Sequence, residues 1–358
     1  MRTILAIETS CDETAAAVVV AGRHIVANVV ASQVQLHRKY GGVFPELASR
    51  EHVRVLPLVV QEAIGALTGG WSAVDAVAVT HGPGLAGSLL VGVNFAKGIA
   101  FSLGLPLLAL NHLLSHIYAN WLIPEGQDPA EPPEPEPQFP LLVLVVSGGH
   151  TDLVLMRDHE HYYTIGQTID DAAGEALDKV ARLLGLPYPG GPEIERAAAH
   201  GVPDAIQFPR ARLRGTYDFS FSGIKTAALR LVQSYTGDEQ EPDLSRLPIA
   251  NIAAAFQEAV VQTLVEKTVE AAKAFEIREV LLAGGVAANG RLREAMKAAL
   301  APIPVRYPVR RLCTDNAAMV AAAAYYQGDR ARAPWDLDVY PNLSLPRVAS
   351  VPELSTGY

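Results

Sequence analysis

A repeated order of signals constrains the fold of this chain more than any other feature. Between Ile4 and Ala21 an apolar, β-branched run (TILAIET) meets a polar turn (SCDET) and resumes as AAAVVVA. The segment FPLLVLVVSGGHTDLVLM, from Phe139 to Met156, has the same form, with its tight turn at Ser147–Thr151. Each hairpin is followed at a distance by a strand, a glycine-rich loop and a helix start. The first such unit is VDAVAVTHGPGLAGSLLVG, Val74 to Gly92, and the second is IREVLLAGGVAANGRLREAM, Ile277 to Met296. Two hairpins, each paired with a strand–loop–helix unit, predict a duplicated α/β fold whose halves are sheets flanked by helices.

Composition narrows the class. Hydrophobic residues make up 49% of the 358 and charged residues 19%, which is a globular balance. No apolar run is read as approaching the length of a membrane span. The start, MRTILAIETS, reads as a first strand rather than a signal peptide. Two cysteines, Cys11 and Cys313, are too few for a disulfide framework, so free thiols in a reducing cytosol are expected. A net charge of −9 makes the isolated chain a poor binder of nucleic acid, because phosphate neutralisation drives that binding. Two local basic groups stand out: Arg210, Arg212, Arg214, Lys225 and Arg230, and Arg306, Arg310 and Arg311. Solvated surface is the simpler reading of each. The proline- and acid-rich stretch Ile123 to Pro140 reads as an exposed connector, and the polar stretch Ser234 to Pro248 separates two helical patterns. Ile252, Ala255, Phe256, Ala259, Val260, Thr263 and Leu264 form the apolar stripe of a core helix over Ile249 to Phe275.

Several motifs can carry chemistry. In NHLLSHIYA, His112 and His116 share one face if a helix starts near Asn111, which suits an N-cap. Two imidazoles so placed can ligate one metal ion, or simply pack at a domain junction. The glycines of SGGHT let a ligand approach the backbone and bind an anion through successive N–H groups, or merely serve a hairpin turn. Its counterpart SCDET offers Asp12 and Glu13 to a cation or to the turn itself. GGVAANGRLRE places Gly284 and Gly285 before a helix N-terminus, where a nucleotide can sit, with Asn289 as ligand or cap. HGPGLAGSL, His81 to Leu89, can act likewise or pack as a turn. IDDAAGEALDKVARLLGLPYPGGPEIER puts Asp178 and Lys179 in mid-helix, where most of the acids read as solvated. In CTDNAAMVAAAAYY, Asp315 is placed as a helix N-cap and is also the best free carboxylate for a third metal ligand.

Taken in order, IETSCDET, THGPGLAGSL, NHLLSH, VSGGHT, DDAAGEALDK, YPGGP, DFSFSGIKTA, GGVAANGRLR and CTDNAAM resemble the TsaD family, the tRNA adenosine threonylcarbamoyltransferases formerly called O-sialoglycoprotein endopeptidases. The match runs from about Ile4 to Ala324. The resemblance implies the duplicated actin-like, sugar-kinase and Hsp70 (ASKHA) ATPase fold. Its lobes would be residues 1–122, completed by a C-terminal helix at 315–328, and 141–314, with a loop at 123–140 and an irregular tail at 329–358. The implied reaction moves a threonylcarbamoyl group from threonylcarbamoyl-AMP to N6 of adenosine 37 in tRNAs reading codons that begin with A, giving t6A37 and AMP.

Position by position, the resemblance makes His112, His116 and Asp315 ligands of one divalent metal, iron(II) first and zinc second. It makes Val145, Val146, Ser147, Gly148, Gly149, Asp178, Gly191, Glu195 and Asn289 substrate-binding positions, Glu195 being the loosest match. No residue is assigned as nucleophile or base, because the mixed anhydride is already activated. Archaeal and eukaryotic relatives often carry a tyrosine two residues before the serine of the turn. Val145 stands there, which marks a bacterial type and leaves the metal's identity less constrained. Such a member is expected in the cytoplasm, working with a TsaB-like relative and a TsaE-like ATPase, and with no membrane. Three other readings compete. A zincin metalloprotease needs a glutamate after the first histidine, and Leu113 stands there. A non-catalytic nucleotide-binding partner would have no use for an intact trio. A sugar or acetate kinase gives the histidine pair no role.

Overall fold

A computed structural model describes residues 2–124, 135–236 and 243–347. The chain divides into two compact units: Met1–Pro137 with His159–His161 and Tyr307–Pro346, and Gln138–Asp158 with Tyr162–Arg306 and Arg347–Tyr358. Most of the connector read at 123–140 lies outside the described residues, as do 237–242 of the polar stretch and the tail from 348.

In the first unit, β1 (Thr3–Glu8), β2 (Glu13–Val20) and β3 (His24–Ser32) form a meander. A short helix α1 (Val34–Arg38) and a long one, α2 (Pro45–Gly65), follow. Next come β4 (Ala76–Gly82), α3 (Ala86–Leu103), β5 (Leu107–Asn111) and α4 (His112–Tyr118). The sheet order is β3-β2-β1-β4-β5, antiparallel in the meander and parallel from β1 onward. Helices cover both faces of the inner strands, which is why ILAIE and TAAAVV are continuously buried rather than alternating. Edge strand β3 is mostly exposed or half-buried. One face packs against α2 and α3 through Leu56, Val60, Val93 and Ala96.

The second unit repeats the scheme. Its elements are β6 (Leu141–Val146), β7 (Thr151–Met156), β8 (Tyr162–Gln167), α5 (Ala173–Leu183), α6 (Gly190–Ala198), α7 (Ser222–Thr236), α8 (Ile249–Ala274), β9 (Glu279–Ala283), α9 (Gly290–Leu300) and β10 (Val305–Arg306). The order β10-β9-β6-β7-β8 is the first sheet's order strand for strand, with the same parallel and antiparallel partners. The expected α/β duplication with mixed sheets is therefore present. Every residue of the expected α8 stripe is buried. Two last helices, α10 (Arg310–Cys313) and α11 (Ala317–Gln327), belong to the first unit. Ala317–Ala324 are wholly buried, and the run of small side chains lets α11 lie close against β1, β2 and α4.

One expectation needs correction. Helix α3, with 18 residues, is long and apolar enough to cross a membrane by length and composition. The sequence reading missed it because Asn94, Lys97 and Ser102 interrupt the run. Leu89, Val93, Ala96 and Ala100 are buried on the sheet side, while the outer side mixes Asn94 and Ser102 with exposed Leu90 and Phe101.

Candidate functional site

The histidine pair sits where β5 ends. Asn111 caps α4, its side chain accepting hydrogen bonds from the N–H groups of Leu113 and Leu114. The helix therefore begins at His112, and the four-residue spacing stacks the two rings edge to face, 4.6 Å apart. From the other end of the chain, Asp315 arrives in the break between α10 and α11. Its Oδ1 lies 3.0 Å from His116 Nε2 and 3.5 Å from His112 Nε2. One ligand atom from each of the three residues lies within 4.8 Å of the others. Asp315 does not cap α11, contrary to the sequence reading. Asn316 does, accepting from Met319 N–H, which leaves the Asp315 carboxylate to the imidazoles.

Glu8 was not singled out in the sequence and proves central. It is the last residue of β1 and fully buried. Its carboxylate accepts from Ser10 N–H at 2.6 Å and from Thr80 Oγ1 at 2.6 Å, and faces His112 Nδ1 at 3.1 Å. Ser10 Oγ lies 3.2 Å from the same Nδ1. A carboxylate on Nδ1 fixes the ring and turns Nε2 toward the other two ligands, as outer partners of metal-bound histidines do. The signal available in the sequence was a lone acid ending an apolar strand run.

The electrostatics of this corner call for positive charge. Burial opposes charging His112, yet the carboxylates of Asp315 and Glu8 outweigh it and push the imidazole up to about 9. Burial raises Asp12, and Asp315 adds to the rise. Burial likewise raises Glu13 to about 8, with Asp12 and Asp315 contributing, although Ser32 Oγ donates to it. His116 is buried with its Nδ1 lacking a hydrogen bond. Two imidazoles and a carboxylate, converging among crowded acids, fit a divalent cation in both donor type and charge.

In the second unit the SGG turn joins β6 to β7. Val145 and Val146 are strand residues buried on the ladder, so neither presents a side chain to a ligand. Ser147 closes the turn on His150, and Gly148 and Gly149 are exposed. Among the described residues, the Gly148 and Gly149 N–H groups make no hydrogen bond. Two other glycines let neighbouring elements close on this turn. A Cβ on Gly174, in the first turn of α5, would stand 2.4 Å from the Ser147 carbonyl oxygen. One on Gly284 would stand 2.4 Å from that of Val146.

The remaining predicted positions fall into two pairs. Asp178 accepts from Gly190 N–H at 2.7 Å, next to Gly191, whose Cβ position faces open space. Glu195 accepts from Gly290 N–H at 2.9 Å, next to Asn289. Asn289 caps α9 through Leu292 N–H and donates to Gln257 Oε1 at 2.8 Å. The predicted basic groups are partly neutralised. Arg210 pairs with Glu266, Lys225 with Asp171, and Arg306 with Glu279. Cys11 and Cys313 are free thiols.

Residues 24–322 match the family model TsaD, described as tRNA N6-adenosine threonylcarbamoyltransferase. Proteins of that name from Thermomicrobium roseum and Geobacillus thermodenitrificans are 55% and 53% identical to this chain. The alignments cover 96% of this chain in each case, and 96% and 97% of the relatives. The Bacillus subtilis protein of that name is 48% identical over 96% of this chain and 95% of its own. Among solved structures, HypF from T. kodakarensis aligns with a TM-score of 0.57 at 14% identity, over 90% of this chain and 47% of that one. At such identity the likeness speaks for the fold alone.

Proposed function

The chain belongs to the TsaD family of tRNA N6-adenosine threonylcarbamoyltransferases, and on that premise we propose that it transfers the threonylcarbamoyl group of threonylcarbamoyl-AMP to N6 of adenosine 37 in tRNAs reading codons that begin with A. The bond from N6 to the carbamoyl carbon forms, the bond from that carbon to the phosphate oxygen breaks, and AMP leaves with its electrons. The N6 proton passes to solvent or to the leaving phosphate. Because the anhydride is already activated, the protein needs no covalent nucleophile. Its residues have to hold the donor, exclude misorientation and stabilise the leaving group.

The observation that carries this reading is the convergence of His112, His116 and Asp315, across 199 positions of sequence, onto one point. These three would hold one divalent ion, iron(II) in the first instance and zinc as the alternative, which would supply Lewis-acid polarisation of the acyl group. Glu8 and Ser10 orient His112 for this task. The open N–H groups of Gly148 and Gly149 receive the phosphate and take up charge as AMP leaves. Val145 and Val146 fix that turn from the strand. Asp178, Gly191, Glu195 and Asn289 line the adenylate, where the absent Cβ at Gly191 leaves room for it.

The net charge of −9 suits an enzyme that takes its tRNA together with partners, a TsaB-like protein and a TsaE-like ATPase, in the cytoplasm. The test is transfer by protein purified without oxygen, combined with those partners, threonylcarbamoyl-AMP and unmodified tRNA. Nucleoside analysis is expected to show t6A. His112→Ala and Asp315→Ala are expected to lose both the metal and the product. Full metal content and full t6A in both variants would sink the assignment.

A further inference from the structure

A second pair of histidines, remote from the trio in sequence, is buried in the first unit. His37 in α1 and His52 in α2 are both fully inaccessible to solvent. Gln33, also buried, lies between them. The contacts run in one line. Phe44 N–H donates to His37 Nδ1 at 3.3 Å. His37 Nε2 lies 3.1 Å from Gln33 Oε1, and Gln33 Nε2 lies 3.3 Å from His52 Nδ1, which Thr14 Oγ1 also reaches at 2.8 Å. His52 Nε2 lies 2.9 Å from the Cys11 carbonyl oxygen.

The two ends of this line decide every proton in it. A backbone N–H can only donate, so His37 Nδ1 is bare and its Nε2 carries the hydrogen. That hydrogen is given to the Gln33 oxygen, which turns the amide nitrogen toward His52. His52 Nδ1 therefore accepts, and its Nε2–H donates to the Cys11 carbonyl, which can only accept. Burial, the largest influence on His52, holds it below its ordinary value, against the raising effects of the Cys11 carbonyl and of Glu8, Asp12 and Glu51. The hydrogen bonds thus give each ring one tautomer, and neither can be replaced by a merely apolar group without leaving a buried polar atom unpaired.

The line ends on the turn that meets His112. Cys11 lies between Ser10, whose hydroxyl meets His112 Nδ1, and Asp12. The same turn is gripped from two other sides: Gln33 N–H donates to the Asp12 carbonyl at 3.0 Å, and Leu85 N–H to that of Ser10 at 2.8 Å. The segment leading into α2 enters through Phe44. We propose that His52 is a positioning residue for the transfer reaction: with Gln33 and His37 it ties the placement of the segment before α2 to the Ser10–Asp12 turn, and through Ser10 and Glu8 to the ring of His112. This rests on reading the trio as the reaction centre.

His52→Leu, His52→Gln and His52→Asn test it, with His37→Leu as the remote variant. Glutamine can place its amide N–H where Nε2–H stood and so keep the bond to Cys11, whereas asparagine is too short to reach. His52→Leu is expected to lower kcat about 10- to 100-fold with the KM for tRNA nearly unchanged, as a small misplacement near the chemistry does. Metal affinity, measured by competition titration independently of turnover, is expected to fall about 10-fold in the same variant. His52→Gln is expected to recover most of both losses even where its unfolding midpoint stays low, and His37→Leu to fall between. If the leucine variant does not fold, the comparison of glutamine with asparagine carries the same meaning. A folded His52→Leu with wild-type kcat and metal affinity, or a glutamine variant no better than asparagine, overturns the proposal. Wild-type protein inactive in transfer would count instead against the proposed function, and the metal titration would still judge the positioning role.

Discussion

Glu8 shows what one residue can decide. It faces His112 Nδ1, and Thr80 and Ser10 satisfy the rest of its carboxylate. Glu8→Gln keeps the shape but offers His112 a weaker and partly wrong-handed partner. Metal affinity is expected to fall about 10- to 100-fold, with the unfolding transition nearly unmoved, as a titration of metal-free protein will show. The sequence revealed the histidine pair through its helical spacing, because both ligands share one local element. It could not join Asp315 to them, since their meeting depends on how α11 packs beside α4. That link came from family resemblance. Glu8 was hidden for the opposite reason: buried acids are rare, so an acid ending an apolar strand reads as the strand's edge. Asp315 was misread as a cap because a polar residue before an alanine-rich helix satisfies the capping rule, and Asn316 beside it does so better.

At the scale of elements, the SGG turn depends on what is missing around it. Gly174→Ala would press a methyl group into the Ser147 carbonyl from a helix backbone that cannot yield. The KM for threonylcarbamoyl-AMP is expected to rise about 10-fold or more while metal content stays constant, which kinetics and metal analysis on one sample will separate. The strand after the turn carries a different strain. Burial raises Asp152 from 3.8 to about 6, with Arg347 opposing the rise. A carboxyl raised in the folded state costs nothing below its unfolded value, and the cost grows between pH 3.8 and about 6 and stays constant above. Asp152→Asn is therefore expected to stabilise the protein by about 1–3 kcal/mol at pH 8 and by little at pH 3.5, in denaturant titrations at the two pH values. Elements of this kind were legible from the sequence wherever they are buried and periodic, as in β1, β6 and α8. Gly284 was legible as permissive while Gly174 was not singled out, and the carbonyls they admit, Val146 in β6 and Ser147 in the turn, lie far off in sequence.

For the whole molecule, the repeat was readable because strand, turn and strand are short-range signals that survive in both copies. The division into units was less so. Residues 307–346 join the first unit by packing, and no local pattern announces that return. Charge is a property of the whole chain, and it predicts how the enzyme meets its substrate. With a net charge of −9, the isolated chain is expected to bind tRNA no tighter than about 10⁻⁶ M at physiological salt, in the range of non-specific binding. Filter binding with and without the partner proteins will check this, and tight, salt-resistant binding by the chain alone would contradict it.

The two sheets share one strand order, yet their hairpin turns have diverged in chemistry. Between β1 and β2 stand Thr9, Ser10, Cys11 and Asp12, and between β6 and β7 stand Ser147, Gly148, Gly149 and His150. The same backbone device thus offers a hydroxyl to His112 in one copy and open amides in the other. Exchanging the two turns would keep the strand order and take from His112 the hydroxyl that meets its Nδ1.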